Sequence, residues 1–247
     1  MFYKKVLFDK KTDKRWLVSN LDSEYSCSHG SVSIEDLNKS SGLIKTNTGY
    51  ELFIWDANFY DNFSKLKRGP ALIISKDIGA IVIHTLPKQN GVIVDGGSGC
   101  GALACSMGYL FPNANIFSYD NREEHIKIAN KNKQQLDISN VEFIHGDLQS
   151  DIKQNEIDLL TVDMPNPELI LNSASKKLNT GCFMVCYLPC ITQVQTLVES
   201  LNDFDCFYHQ KTIELTEREW NVEGKKVRPK PVSIGHTAFL VFIKKIK

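Results

Sequence analysis

The fold is decided by the stretch Val92-Ile93-Val94-Asp95-Gly96-Gly97-Ser98-Gly99-Cys100-Gly101. A short apolar run that ends in glycines is typical of a buried parallel strand that enters a helix through a tight turn. Glycine adopts backbone angles that other residues avoid, and it lets the main chain approach a ligand closely. The stretch therefore predicts a nucleotide-type cofactor site at the end of a sheet strand.

Two cofactor classes fit this glycine-rich turn. From Gly97 to Ala102 it matches the G-x-G-x-x-A fingerprint of a dinucleotide site, and Asp120 supplies the acid expected about 20 residues later. Asp95, however, precedes the glycines, where a carboxylate would repel a pyrophosphate. A carboxylate there suits S-adenosylmethionine, which carries an ammonium and a sulfonium but no phosphate. The turn favours a methyltransferase over a dehydrogenase, and both over a turn that binds nothing.

Three more strand-like runs end in acids, at Asp120, Asp147 and Asp163. Ligands in open α/β sheets bind outside the carboxyl ends of the strands, so these acids and Asp95 are expected to converge on one crevice. Asp is common at strand ends and helix N-caps, so one such acid alone is weak evidence. In the methyltransferase pattern, Asp95 lies near the methionine end of the cofactor and Asp120 accepts from the ribose hydroxyls. Asp147 meets the adenine amino group, and Asp163 faces the methyl acceptor.

Composition and patterning predict two domains in the 247 residues. Residues 1–62 carry short apolar stretches separated by turn signals, which is typical of a small β-rich, barrel-like module. Residues 63–247 alternate strand-like and helix-like segments, the pattern of a doubly wound parallel sheet. The predicted class is therefore α/β, with a Rossmann-like methyltransferase domain and a small N-terminal domain.

The cysteines and the hydropathy pattern predict a cytoplasmic protein. The seven cysteines include no C-x-x-C pair, which favours a reducing compartment. No apolar run approaches the roughly 20 residues of a membrane span. Cys182, Cys186 and Cys190 lie on and just after an apparent core strand, so we expect buried small side chains and no metal site.

The formal net charge is zero, with 29 basic and 29 acidic residues. A nucleic-acid binder is usually basic, so the total gives no support for such a partner. The distribution does show two local basic clusters, Lys65–Arg68 and Lys225–Lys230. A charge run is more often a solvated face than a binding surface, so these clusters alone carry modest weight.

Motifs along nearly the whole chain resemble those of the tRNA N1-adenine methyltransferases, especially the archaeal branch. These enzymes methylate a T-loop adenosine. The D-x-P-x-P motif and the order of arginine, tryptophan and G-H-T near the C-terminus are the more specific features. The stretches that carry the resemblance are His29–Val32, Glu35–Leu37, Lys67–Pro70, Lys76–Gly79, Asp95–Gly101, Ser118–Glu123, Asp163–Pro167, Glu217–Trp220, Arg228–Pro229 and Gly235–Leu240.

The resemblance implies a homotetramer that binds tRNA and S-adenosylmethionine and methylates adenosine 58, with 57 also a target in archaeal members. It implies a catalytic role for Asp163. The cofactor-binding residues that it implies are Asp95, Gly97, Ser98, Gly99, Gly101, Ala102, Asp120, Asn121, Arg122, Asp147, Leu148 and Asp163. The substrate-binding residues are Ile74, Arg228, His236 and Thr237.

The chemistry of adenine N1 explains the choice of Asp163. The nitrogen has a free lone pair and needs no general base, so the reaction requires in-line placement and stabilisation of the positive charge that forms on the base. A carboxylate that accepts from the exocyclic amino group serves both needs. In a duplex-like T-loop, N1 is buried in a pair, so the nucleotide must also be flipped out.

Two departures from the family pattern keep alternatives open. Ile74 and Ser75 stand where the family has Tyr-Pro, and Asn166 and Glu168 stand where it has an acid and an aromatic residue. One alternative is therefore a non-catalytic tRNA-binding subunit, although the retained glycine turn argues against a degenerate chain. The other alternative is a methyltransferase of this fold that acts on a protein or a small molecule.

Overall fold

The structure, a computed structural model, describes residues 2–69, 72–149 and 152–247. The chain divides into two compact units. The first comprises Met1–Lys67 with the segment Lys131–Ile138, and the second comprises Arg68–Asn130 with Ser139–Lys247. The boundary between residues 62 and 63 stays a prediction.

The first unit contains two antiparallel sheets, the form taken by the predicted barrel-like module. Its elements are β1 Lys5–Asp9, β2 Lys14–Val18, β3 Tyr25–Cys27, β4 Gly30–Val32, α1 Ile34–Leu37, β5 Ser41–Lys45, β6 Glu51–Asp56 and α2 Phe59–Phe63. The larger sheet has the order β2-β1-β6-β5, and β3 pairs with β4. Alternating apolar residues of these strands, among them Leu7, Leu52 and Ile54, form the core of the unit.

The second unit is built on a seven-stranded sheet with helices in its connections. The strands of this sheet are β7 Val92–Gly96, β8 Asn115–Asp120, β9 Val141–His145, β10 Ile157–Val162, β11 Leu178–Leu188, β12 Phe207–Glu214 and β15 Phe239–Lys245. A separate hairpin is formed by β13 Trp220–Glu223 and β14 Lys226–Pro229. The helices of the second unit are α3 Ser75–Thr85, α4 Ala102–Leu110, α5 Glu123–Gln135, α6 Leu171–Lys177 and α7 Ile191–Ser200. The sheet order is β12-β15-β11-β10-β7-β8-β9.

The sheet is parallel from β11 to β9, and this part of the prediction is confirmed. Of the two closing strands, β15 differs, because it runs antiparallel to both of its neighbours, β11 and β12. The sheet is therefore mixed and not wholly parallel. All six residues of β10 are buried, which explains the unbroken apolar and β-branched character of its centre.

The strand order places a topological switch point at the centre of the sheet. The chain leaves β7 for β8 and β9 on one side, then returns to β10 on the other side. Asp95 and Gly96 of β7 pair in register with Thr161 and Val162 of β10. The residues that follow, the glycine turn and Asp163, therefore leave the sheet at one point, where open α/β sheets bind their ligands.

Candidate active site

The glycine turn (Gly96–Gly101) brings two backbone segments unusually close together. Gly97 has a φ of +95°, and a Cβ on it would lie 2.1 Å from the carbonyl oxygen of Asp163. Gly101 has a φ of +81°, and a Cβ there would lie 2.7 Å from the ring of Phe143. Glycine is required at both positions because φ is positive and because a side chain would collide with these neighbouring atoms. The turn then delivers the chain into α4.

A cleft of about 540 Å³ opens between the glycine turn and the ends of β8, β9 and β10. We name it the main cleft. Main-chain groups of the turn form one wall, and three carboxylates approach it from different strands. The lining residues are Gly97, Gly99, Asp120, Asn121, Arg122, His125, Gly146, Asp147, Leu148, Gln149, Asp163, Met164, Pro165 and Asn166.

The main cleft brings together most of the residues predicted to bind the cofactor. Those that line it are Gly97, Gly99, Asp120, Asn121, Arg122, Asp147, Leu148 and Asp163. Four others are buried and do not line this cleft, namely Asp95, Ser98, Gly101 and Ala102. Gly101 and Ala102 form the start of α4.

Asp95 lies beneath the cleft and is only 3% exposed. One carboxyl oxygen accepts from Ser118 Oγ at 2.6 Å and the other from Thr161 Oγ1 at 2.7 Å. Burial raises the pKa of Asp95 to about 6, against the lowering effect of these two hydroxyl donors. Its expected contact with the methionine end of the cofactor stays a prediction.

Within the described residues, the carboxylate of Asp120, at the end of β8, has three hydrogen-bond partners. Its Oδ2 accepts from the backbone N–H of Gly99 at 2.9 Å and lies 3.0 Å from Nδ1 of His125. Its Oδ1 accepts from the backbone N–H of Arg122 at 3.0 Å. These contacts tie the glycine turn, the end of β8 and the first turn of α5 to one carboxylate.

Asp163 follows β10, and its own N–H donates to the carbonyl of Gly96 at 2.7 Å. Burial, together with the negative charges of Asp95 and Asp120, raises the pKa of its carboxyl to about 7. Among the residues that the structure describes, none donates a hydrogen bond to this carboxylate. Asp163 therefore presents unused acceptor atoms to the cleft.

A buried polar network lies at the start of α3. Asp77 is fully buried and accepts from Thr237 Oγ1 at 2.8 Å and from the hydroxyl of Tyr187 at 3.2 Å. Lys76 Nζ lies 2.7 Å from Asp77 Oδ1 and donates to Thr237 Oγ1 at 2.7 Å. Burial, together with the negative charges of Asp77 and Asp163, raises the pKa of Tyr187 to about 12.

The four residues predicted to bind the substrate lie outside the main cleft. Ile74 is the N-cap of α3 and lines a second cleft of about 330 Å³ together with Lys76 and Lys230. Thr237 belongs to the polar network. Arg228 is exposed on the hairpin of β13 and β14. The structure does not bring all four into one pocket.

His236 holds the loop before β15 in place. Its Nδ1 is hydrogen-bonded to Glu214 and its Nε2 lies 2.9 Å from the carbonyl oxygen of Pro189. The bond to Glu214 is the main cause of its raised pKa, and the bond to Pro189 adds to it. A carbonyl oxygen only accepts, so both bonds together favour the charged imidazolium. Thr237 follows directly, so this pair of bonds positions the polar network.

Sequence reasoning missed several residues of the site. His125, Gly146, Gln149, Met164, Pro165 and Asn166 also line the main cleft. Asn166 belongs to a motif that was recognised, and its φ of +55° suits asparagine. Asp77 belongs to the Lys76–Gly79 stretch, but its hydrogen bond from Thr237, 160 residues away, leaves no local signal in the sequence.

The fold and the main cleft together define a class I S-adenosylmethionine-dependent methyltransferase. A main-chain cradle at Gly97 and Gly99, with carboxylates around it and no basic side chain at the turn itself, fits a cofactor that carries positive charge and no phosphate. The family model described as "tRNA methyltransferase complex GCD14 subunit" matches residues 65–238. The chain belongs to this family.

Individual relatives agree with this assignment. The chain is 28% identical over 268 residues to the tRNA (adenine(57)-N(1)/adenine(58)-N(1))-methyltransferase TrmI of Methanocaldococcus jannaschii, covering 97% of this chain and 94% of the relative. The solved tRNA (m1A58) methyltransferase TrmI of Aquifex aeolicus has a TM-score of 0.80 at 23% identity, covering 99% of this chain and 97% of that one. An S-adenosylmethionine-dependent O-methyltransferase of Thermotoga maritima has a TM-score of 0.86 at 22% identity, covering 99% and 93%. At these identities the two structures establish the fold alone.

Proposed function

We propose that the protein transfers a methyl group from S-adenosylmethionine to N1 of a T-loop adenosine in tRNA, at position 58 and also at position 57. Membership of the tRNA methyltransferase family supports the substrate class, and the names of the curated relatives support the atom and the position. The single observation that carries the chemistry is Asp163, a carboxylate with no donor among the described residues and a place on the wall of the main cleft.

Each part of the site has a defined role in this proposal. Gly97 and Gly99 let the main chain approach the cofactor, Asp120 accepts from its ribose and Asp147 from its adenine amino group. When bound, the cofactor supplies an activated methyl group. Asp163 accepts from the exocyclic amino group of the target base, which fixes the base and offsets the positive charge that forms on it.

Methylation of an unmodified tRNA transcript tests the proposal directly. The protein is incubated with labelled S-adenosylmethionine and the transcript, and the modified nucleoside is identified and mapped. The label is expected as 1-methyladenosine in the T-loop, and a transcript with guanosine at positions 57 and 58 is the matched control. Binding of both ligands without transfer would instead support a non-catalytic subunit, the alternative suggested by Ile74.

We predict that tRNA binding depends on salt through the hairpin of β13 and β14, although the net charge is zero. Lys225, Lys226 and Arg228 are all exposed there. Replacing the three residues with Gln should make the negative slope of log affinity against log salt less steep by about 2, because fewer counterions are released on binding. The matched control replaces three other exposed lysines, Lys127, Lys176 and Lys247. Equal slopes for the two triple variants would contradict the prediction.

We predict that cofactor binding depends on pH because two buried carboxyls titrate in the neutral range. The pKa values of Asp95 and Asp163 are raised to about 6 and about 7. Both groups gain negative charge as the pH rises from 5.5 to 8, which favours the sulfonium of S-adenosylmethionine. Calorimetry gives the ratio of the affinity for S-adenosylmethionine to the affinity for S-adenosylhomocysteine, whose sulfur is uncharged. This ratio should rise about three- to tenfold over the same pH range. A ratio that is flat across this range would contradict the prediction.

The raised pKa values of Asp95 and Asp163 also determine the direction in which the stability of the protein changes with pH. An acid whose pKa is raised in the folded state binds more protons when folded, so the free energy of unfolding falls as the pH rises from about 4 to about 7. The ligand-free protein should therefore melt at a lower temperature at pH 8 than at pH 5.5. This contribution should shrink in Asp163→Asn, which has no charge at that position.

We further propose a homotetramer in the cytoplasm. The hairpin of β13 and β14 exposes Trp220, Val222 and Val227, with 54%, 75% and 59% of their surfaces accessible. An isolated two-stranded sheet is marginal in water, so packing against another subunit would stabilise it. Among the described residues, no helix is long and apolar enough to span a membrane. Sedimentation of the purified protein measures the assembly directly.

A further inference from the structure

A small pocket of about 120 Å³ lies beside the main cleft and has no role in the proposed chemistry. We name it the side pocket. It lies between the short 3₁₀ turn Pro167–Ile170 and the first half of α7. Asn166 lines both the side pocket and the main cleft, so the two are neighbours. The lining residues are Asn166, Pro167, Glu168, Thr192, Gln193 and Thr196.

The side pocket combines one carboxylate with neutral polar groups. Of the described residues that line it, Glu168 alone is charged, and no described residue donates a hydrogen bond to its carboxylate. Gln193 accepts from the backbone N–H of Cys190 through Oε1 at 3.2 Å, which leaves the N–H groups of its amide as donors. Thr196 donates its hydroxyl to the carbonyl of Thr192 at 3.1 Å, so its Oγ1 can still accept.

The chemistry of Glu168 selects one part of an RNA. A carboxylate repels a phosphate, which leaves a base as the ligand. Proteins bind unpaired bases through their Watson–Crick edges. A carboxylate only accepts, and guanine is the base whose edge offers two adjacent donors, N1–H and N2–H. Adenine and cytosine place an acceptor beside the amino group, and uracil has a carbonyl on each side of its single N–H.

We propose that the side pocket binds a guanine base next to the target adenosine, and that Glu168 accepts from N1–H and N2–H of this guanine. The inference rests on the proposed tRNA substrate. Because Asn166 lines both cavities, a nucleotide adjacent in sequence to the one at Asp163 reaches the side pocket. Glu168 then determines which tRNAs place their adenosine in the main cleft most tightly.

A purely structural role for Glu168 makes a different prediction. Glu168 shares the side pocket with the first turn of α7, where the partial positive charge of a helix N-terminus favours an acid. If this were its only role, loss of the charge would lower the melting temperature and change the affinity for every tRNA equally. The specificity role instead links Glu168 to the identity of one base.

The first measurement compares tRNA transcripts on the unaltered protein. Each transcript has adenosine at position 58 and carries guanosine, inosine or adenosine at position 57 or at position 59. Filter binding with S-adenosylhomocysteine gives the affinities without methyl transfer. At one of the two positions, adenosine in place of guanosine should weaken binding about ten- to hundredfold, and inosine, which lacks the 2-amino group, about three- to tenfold. Equal affinities for the three bases at both positions would overturn the proposal.

The second measurement exchanges the specificity. Glu168→Gln keeps the size of the side chain but replaces one acceptor with an amide donor, which suits the adjacent donor and acceptor of adenine. This variant should bind the adenosine transcript at least as tightly as the guanosine transcript. Glu199→Gln is the matched control, because Glu199 also lies on the α7 side of the fold but accepts from Gln195 outside the side pocket. It should keep the preference for guanosine.

The outcomes separate this inference from the proposed function. If Glu168→Gln weakens all transcripts equally, or if it keeps the preference for guanosine, the specificity role is wrong while the proposed function stands. If the unaltered protein binds none of the transcripts, the proposed function itself fails. Melting temperatures show whether the variants are folded, and the comparison of bases on the unaltered protein does not depend on them.

Discussion

Asp163→Asn is expected to lower the single-turnover rate of methyl transfer by about 10²–10³ at saturating tRNA and cofactor, because the site loses the charge that offsets the developing cation. The affinity for S-adenosylhomocysteine should change about threefold or less, since glycine-turn contacts and Asp120 remain. The substitution keeps the size of the side chain. Rapid-quench measurement of 1-methyladenosine formation at pH 8, where the carboxylate is ionised, gives the rate.

The stability of the same variant separates catalysis from structure. Burial and the negative charges of Asp95 and Asp120 both disfavour the ionised form of Asp163 and raise its pKa. Removing its charge should leave the melting temperature at pH 8 unchanged or higher, whereas a structural cap of the loop before Pro165 would make it lower. Asp147→Asn is the matched control on the same cleft: it should weaken cofactor binding, but at saturating cofactor its transfer rate should stay near that of the unaltered protein. A normal transfer rate in Asp163→Asn would mean that Asp163 does not contact the base.

The sequence predicted those parts of the site that depend on local patterns. A strand that ends in an acid and glycines is a local signal, and the strands before Asp120, Asp147 and Asp163 repeat it in part. Because parallel strands end at one edge of the sheet, these acids reach one cleft once the strand order is right. The antiparallel direction of β15 was not predictable in this way, since an apolar strand pattern does not encode direction.

The parts that the sequence did not predict depend on contacts across the sheet. Asp95 is held beneath the cleft by Ser118 and Thr161, which pair with it in register on the two neighbouring strands. Polar residues at the same depth of three neighbouring, mainly apolar strands were the available signal. His125 gave a weaker one, because a histidine near a helix start has many uses and only the structure shows its bond to Asp120.

Gly97→Ala is expected to lower the affinity for S-adenosylhomocysteine at least a hundredfold. An added Cβ would lie 2.1 Å from the carbonyl oxygen of Asp163, a backbone atom that cannot rotate away. Either the glycine turn or the loop at Asp163 must move, and both are walls of the main cleft. The N–H of Asp163 also donates to Gly96, so the movement breaks a hydrogen bond that joins the two walls.

Gly181→Ala is the control that separates this clash from backbone strain. Gly181 has a φ of +84°, close to the +95° of Gly97, but nothing lies within 4 Å of its added Cβ. It should lose only the strain of the left-handed backbone, about 1–3 kcal/mol of unfolding free energy, and should bind the ligand normally. Calorimetry and thermal melting of both variants give the comparison. If Gly97→Ala binds S-adenosylhomocysteine as well as Gly181→Ala does, the close approach of the two walls does not shape the cofactor site. Backbone strain alone would then explain why glycine is required at Gly97.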